Sequence, residues 1–216
     1  MKKLFLALPF TLLMISCDNE NISENKSDKK DSLRSETSGP LISFEDGNGT
    51  GFKDLKGNII LPPIYGHSYT DTFNKAIAFV IDSAGKLIAI DRAGKKILTP
   101  YFFDNGPDYI EEGLFRFVDD KKIGFADENG KIIIPAKYEF VSEFRDGRAC
   151  FGSGYTIKDK GEMEMMVGGK WGFINTKGDT VIAQKYDELC YFDEGTCLVK
   201  EKGKKITIDV DGKEVK

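Results

Sequence analysis

The sequence predicts an all-β fold, an array of about five three-stranded antiparallel repeats. Three observations predict it: a turn signature that recurs five times, aromatic residues at fixed offsets from that turn, and 23 Gly in 216 residues beside 16 Phe and 8 Tyr. Gly supplies the positive φ that tight turns need, and aromatic side chains suit the half-buried surface of a strand. With 40% apolar and 31% charged residues the chain is globular, neither broadly disordered nor a polytopic membrane protein. Its net charge of −4 argues against a nucleic-acid-binding surface.

The chain opens Met1, Lys2, Lys3 and then runs apolar from Leu4 to Ile15. That stretch is shorter than the roughly 20 residues a membrane-spanning helix needs and has the layout of a secretory leader. Ser16 and Cys17 follow, and an acidic step (Asp18, Glu20) comes directly after. A Cys behind a small residue at the end of an apolar run resembles a bacterial lipobox, although Met14 stands where that pattern prefers Leu. The resemblance implies cleavage before Cys17 and acylation of Cys17, palmitate included; several acyl chains anchor a protein stably. The alternative is an ordinary leader with an incidental Cys. Residues 1–16 are therefore expected to leave as a lipoprotein signal peptide. Residues 17–39, nearly all polar, are expected to form a disordered tether.

From residue 40 to 216 the chain repeats itself. Asp54 to Gly57, Asp91 to Gly94, Asp127 to Gly130, Asn175 to Gly178 and Asp209 to Gly212 each place Asp or Asn three residues before Gly, with Gly spacings of 37, 36, 48 and 34. Gly51-Phe52, Gly124-Phe125 and Gly172-Phe173 precede three of these turns. Apolar pairs follow (Ile59-Ile60, Ile97-Leu98, Ile132-Ile133, Val181-Ile182), and then an aromatic eight residues past the Gly: Tyr65, Phe102, Tyr138, Tyr186. Asp with Gly three on suits a type I turn closed by a positive-φ Gly, a common hairpin connection. Pro62, Pro100 and Pro135 are expected to stop the strand that leaves the turn. A further strand follows a second Gly near the end of a repeat (Gly113, Gly147, Gly195), as in Leu114–Val118, Arg148–Phe151 and Thr196–Val199. Gly before Phe is expected where another backbone comes close or a bulge forms. A unit this short must stack on its neighbours to bury a face.

Residues Gly169 to Gly178, with Trp171-Gly172-Phe173 at their centre, resemble the WG (KWG) β-repeat. The likeness extends over about 40–216, although only this copy keeps the Trp-Gly pair. The second and fifth copies have decayed to Leu87-Ile88-Ala89 and Lys205-Ile206-Thr207. The resemblance implies an all-β array on a bacterial secreted or surface protein and carries no catalytic residue with it. Two closures fit the pattern, an open twisted stack and, as the alternative, a propeller-like ring zipped at its ends.

No catalytic or metal site and no cofactor is expected. The only histidine, His67, stands without a partner motif, and Asp209 to Gly212 lacks the distal Glu of a calcium loop. Cys150, Cys190 and Cys197 match no zinc spacing. A bridge between Cys190 and Cys197 is conceivable, but packing as small apolar side chains is the expected role. Trp171, the Phe series and Tyr65, Tyr138 and Tyr186 are expected in the core; an exposed aromatic platform for a glycan or peptide is the alternative. The 48-residue spacing holds about 12 extra residues near Gly154–Gly169, with Met163, Met165 and Met166. Insertions in repeat arrays gather on one face, often the binding face. Tyr155, Met163, Met165, Met166, Trp171 and Tyr186 are thus the candidate partner-contact residues. The expected function is a non-catalytic, lipid-anchored interaction module of the cell envelope, held to the inner or outer membrane through lipidated Cys17. Its partner would be a protein or glycan and not nucleic acid. The alternatives are a spacer lipoprotein and, further off, a glycan or peptide hydrolase.

Overall fold

A computed structural model of the chain describes residues 39–159 and 164–215. The leader, Cys17, nearly all of the tether and Met163 lie outside the described residues. Nineteen strands and no helix follow in order among them. The first unit is β1 (Leu41–Asp46), β2 (Gly49–Lys53) and β3 (Ile59–Tyr65). Short β4 (His67–Ser68) and β5 (Thr72–Phe73) lead to the second: β6 (Ile77–Ile81), β7 (Leu87–Asp91) and β8 (Lys96–Pro100). Next come β9 (Phe102–Phe103) and β10 (Gly106–Pro107), then the third unit, β11 (Leu114–Asp119), β12 (Lys122–Asp127) and β13 (Ile132–Tyr138). After β14 (Phe140–Val141) the fourth is β15 (Ala149–Asp159), β16 (Glu164–Ile174) and β17 (Thr180–Tyr186). The fifth is β18 (Thr196–Glu201) with β19 (Lys204–Asp209) and a single bridge from Ile208 to Glu214 in place of a third strand.

The fold is the all-β antiparallel repeat array that the turn signature predicts. The turns show why Asp or Asn leads each of them. The Asp127 carboxylate accepts hydrogen bonds from the amides of Asn129 (2.9 Å) and Lys131 (3.0 Å), while the Gly130 amide donates to the Asp127 carbonyl. Asp54, Asp91, Asn175 and Asp209 repeat this bonding. The turn glycines take the left-handed conformation, from φ 76° at Gly94 to 90° at Gly57.

Gly before Phe answers to a close approach of backbones. A Cβ built on Gly172 would stand 2.5 Å from the Ile182 carbonyl oxygen, and one on Gly124 would stand 2.5 Å from that of Ile134. The middle strand of units 1, 3 and 4 therefore hugs the last strand, and the register shifts there. Unit 2 has Ile88 in this slot. Its last strand, β8, is five residues long instead of seven and pairs with β7 only through Ala89↔Leu98 and Ile90↔Lys96. The freed end of β8 pairs with β11 instead, which merges units 2 and 3 into one seven-stranded sheet. Phe102 is consequently exposed, and the expectation that it fills the core position of Tyr65 and Tyr138 is corrected. The prolines are corrected too: Pro62 lies inside β3 and Pro135 inside β13. Both are edge strands of their sheets, where a missing N–H costs no ladder bond.

The core sits between units. Four apolar clusters fill the four junctions of five units: Leu41, Phe52 and Phe73 with Val80 and Ile90; Leu98 with Phe115 and Phe117; Phe125 and Ile134 with Phe144 and Ile174; and Trp171, Phe173 and Tyr186 with Phe192 and Val199. Stacking thus buries what one unit could not. The residue four past each turn Gly (Leu61, Leu98, Ile134, Ile182) is the buried one, while Ile59, Ile97, Ile132 and Val181 face out. Turn glycines seat on the preceding unit, Gly178 against Ile134 and Gly212 against Ile182. The Tyr138 hydroxyl donates to the Gly178 carbonyl at 3.4 Å. A second set of turns links units head to tail. Glu112 accepts from the Gly147 amide (2.9 Å), and Asp146 accepts from the Gly195 amide (2.8 Å). Both pairing edges of β1 are used, by β2 and β5, and β19 pairs with β18 and, through the bridge at Ile208, with Glu214. No ladder among the described residues joins first strand to last, so the array is open and the zipped ring is set aside.

Candidate functional site: the projecting arm of unit 4

The 12 extra residues lengthen one hairpin. β15 and β16 are eleven residues each, and β14 and β17 flank only their inner halves, ending at the pairs Phe140↔Gly152 and Trp171↔Tyr186. Beyond Ser153↔Lys170 the two strands have only each other, from Tyr155↔Gly168 to Asp159↔Glu164. Gly154, Gly168 and Gly169 mark the base of this arm with φ of 71°, 77° and 75°. One residue per strand, Gly154 and Gly169, is passed over in the register, which is how two positive-φ residues redirect a hairpin without breaking it.

Trp171 holds that base. It is 1% exposed, and its indole N–H donates to the Gly168 carbonyl at 3.2 Å. Tyr155 stacks on it at 5.6 Å, and Phe140 meets it edge-on at 5.7 Å. Gly152 is needed beneath the ring, because a Cβ there would come within 2.3 Å of it. Gln184 reaches across to the Lys170 carbonyl (3.0 Å) and the Ser153 hydroxyl (3.2 Å). Lys170 pairs with Asp187 at 2.6 Å and holds that carboxyl below its usual range.

These positions divide the candidate contact residues. Trp171 and Tyr186 are buried and offer a partner no surface, which removes them from the contact set and leaves them as core aromatics. Tyr155 and Met166 are half-buried against the same core. Met165 is exposed, and Ile157 (57% exposed) and Val167 join it on the arm, unnoticed in a sequence reading drawn to methionine. Strand alternation sets Ile157 and Met166 on one face, Val167 and Met165 on the other.

A second surface escaped the sequence reading. The β9–β10 hairpin turns on Asp104 and Asn105, both at positive φ (45° and 67°). Tyr69 lies beneath it, its hydroxyl donating to the Asn105 carbonyl at 2.9 Å. Phe103 and Tyr109 meet edge-on at 5.9 Å, as do exposed His67 and Tyr69 at 4.9 Å. The Tyr109 phenol donates to Asp104, which pushes its proton affinity up. Below sits a buried ion pair. Asp108 accepts from Arg116 Nε (2.9 Å), Nη2 (2.5 Å) and backbone N (2.8 Å). The guanidinium also lies 4.5 Å from the Tyr101 ring. Burial opposes the charge on Arg116, and the Asp108 carboxylate, with Glu143 at 3.9 Å, more than offsets it. The run Tyr101-Phe102-Phe103 is the sequence signal for this surface, and it stands at the repeat position where unit 2 changes course. Among the described residues no set of three His, Cys, Asp or Glu side chains is arranged to hold a metal ion, and no helix is long and apolar enough to cross a membrane.

Open stacking, inter-unit cores and a turn-Gly signature define the class: an all-β tandem-repeat protein. Within that class the chain contains WG repeats, for the family described as WG containing repeat matches residues 51–80, 123–152 and 171–204. Those stretches carry the three Gly-Phe pairs, and units 2 and 5, with Ile88 and Ile206 in the Gly slot, supply little of them. No curated protein matches the chain. Among solved structures it is similar to BamB from Moraxella catarrhalis at 11% identity and a TM-score of 0.35, over 81% of this chain and 62% of that one. It is also similar to the computationally designed Ika8 protein at 11% identity and a TM-score of 0.28, over 81% of this chain and 70% of that one. The chain thus spans less than two thirds of the BamB chain's length.

Proposed function

We propose that the protein is a non-catalytic interaction module of the cell envelope, anchored by lipid at Cys17, and that the β15–β16 arm is its partner-contact element. The observation that carries the contact reading is the arm itself. It departs furthest from the repeat, stands on a base braced by Trp171 and Gln184, and exposes Ile157, Met165 and Val167. Loops and extensions on a rigid scaffold are where recognition concentrates, and Met adapts to varied partners. The anchor reading rests on the apolar run and Ser16-Cys17. A protein partner fits the apolar arm.

Two variants test the parts separately. Cys17→Ala abolishes fatty-acid labelling in cells; continued uptake of labelled palmitate overturns the anchor. Replacing Tyr155–Val167 with Gly-Ser leaves the remaining repeats folded and loses the partners that in-cell cross-linking captures with the intact chain. A folded deletion variant that keeps them all shifts the contact to the second reading, a glycan laid on the exposed aromatic cluster of Tyr69, Phe102, Phe103 and Tyr109.

A further inference from the structure

Three thiols that sequence spacing leaves unrelated meet at the junction of units 4 and 5. Cys150 lies on β15 and is buried, its backbone paired with Phe173 and bonded to Ser142 on both sides. Cys197 lies on β18, buried on the same inward face as Val199. Cys190, in the connection between β17 and β18, is half-buried and packs on the cluster that contains the other two. The Cys150 sulfur raises the proton affinity of the Cys190 thiol, and the Cys190 sulfur raises that of Cys197.

The junction around them has no strand ladder: β18–β19 is a separate two-stranded sheet. It is held by apolar packing and by scattered polar bonds. The Asp187 amide donates to the Lys200 carbonyl, Gly203 to the Asp187 carboxylate, and Arg148 to the Val210 carbonyl. All three cysteines are free thiols in this structure.

We infer that Cys150, Cys190 and Cys197 form a redox site in which Cys190, the accessible member, takes a disulfide to one of its two buried neighbours and leaves the third as a thiol. The co-reactant is a small or protein disulfide. The Cys190 thiolate attacks one sulfur of that disulfide, forming a mixed disulfide and expelling one thiol. Cys150 or Cys197 then attacks Cys190 Sγ and expels the second. Two protein thiols are oxidised, one external disulfide is reduced to two thiols, and the leaving thiolates take up the protons. Burial of two of the three sulfurs restricts the first attack to Cys190. The Cys150 sulfur, and burial with it, pushes the Cys190 thiol up, so thiolate is scarce at neutral pH and the reaction accelerates as pH rises. The bridge ties the β17–β18 connection to one side of the junction and constrains the unfolded chain.

The test uses the full chain carrying Cys17→Ala, so that only these three thiols count, and glutathione disulfide as oxidant. After oxidation, removal of glutathione and denaturation, a thiol-reactive chromophore titrates one thiol per chain, against three before oxidation. Peptide mapping finds Cys190 in every bridge. Adding Cys190→Ser abolishes bridge formation, whereas Cys150→Ser and Cys197→Ser each still lose both remaining thiols. Three thiols after oxidation, a stable glutathione adduct, or a Cys150–Cys197 bridge in the Cys190→Ser chain each overturns the inference. The first measurement needs no substitution in the core and stands even if a serine variant fails to fold. It is also independent of lipidation and of the partner-contact reading.

Discussion

Gly172→Ala adds one methyl group where the structure has no room for it. Its Cβ would lie 2.5 Å from the Ile182 carbonyl oxygen and 2.8 Å from both Ala183 C and Gln184 N. All three are backbone atoms of β17, so no rotamer change relieves the clash, and the strand itself must move. Overpacking of this kind costs about 1–3 kcal/mol. Parting β17 from β16 at Trp171↔Tyr186 forfeits ladder bonds of roughly 1 kcal/mol each. Against this, losing Gly from the unfolded chain returns about 0.4–1 kcal/mol. The net is a destabilisation of about 2–3 kcal/mol, a fall of roughly 4–12 °C in Tm for a chain of this length. Thermal and urea unfolding measure it, and hydrogen exchange at 184–186 locates it. Gly47→Ala is the control, because nothing lies within 4 Å of a Cβ there, and it melts as the parent does. A Gly172→Ala chain melting within a degree of the parent refutes the close-approach account of the Gly-Phe pair. It also removes the explanation offered for the short β8 opposite Ile88.

Further outcomes follow from the turns and from the buried ion pair. Gly178→Val, at φ 84° and with Ile134 3.0 Å from its Cβ position, destabilises by more than about 1 kcal/mol because a β-branched residue resists positive φ. Exposed Lys177→Val next to it costs less, and equal urea midpoints for the two would contradict the positive-φ role of Gly178. Asp127→Ala frees the amides of Asn129 and Lys131 and lowers stability by about 1–2 kcal/mol; Asp127→Asn retains most of it, as Asn175 does naturally. Asp108→Leu leaves the buried Arg116 guanidinium only the Val141 carbonyl at 3.2 Å and Glu143 at 3.9 Å and costs about 3 kcal/mol, and adding Arg116→Met recovers part of that. A single variant within 1 kcal/mol of the parent would mean that the pair is dispensable.

What the sequence disclosed and what it withheld divide by range. The Asp-to-Gly turn bonds within five residues, so five copies announced themselves, and the strands on either side followed from alternation and spacing. Gly51, Gly124 and Gly172 act between strands joined by a short turn and were legible for the same reason. The merger of units 2 and 3 was not. It depends on Ile88 denying β8 its normal seat, and the pairing gained, Val118↔Thr99, joins residues of different units. Trp171 read correctly as core, but its service as a brace for the arm needed the position of Gly168, three residues away and turned back by two left-handed glycines. Cys150 stands 40 residues from Cys190, and no spacing rule brings them together; only the stacking of unit 5 on unit 4 does.

The bonds from Glu112 to Gly147 and from Asp146 to Gly195 run one way along the chain: an earlier turn accepts, and the next one donates. The coupling between neighbours is therefore vectorial. Glu194 is the equivalent acid of the third such turn, with φ 48° beside Gly195, and among the described residues no amide of a following turn donates to it. Unit 5, a separate two-stranded sheet with a single bridge in place of a third strand, is the most weakly held link of this one-dimensional lattice among the described residues, and it opens before the others.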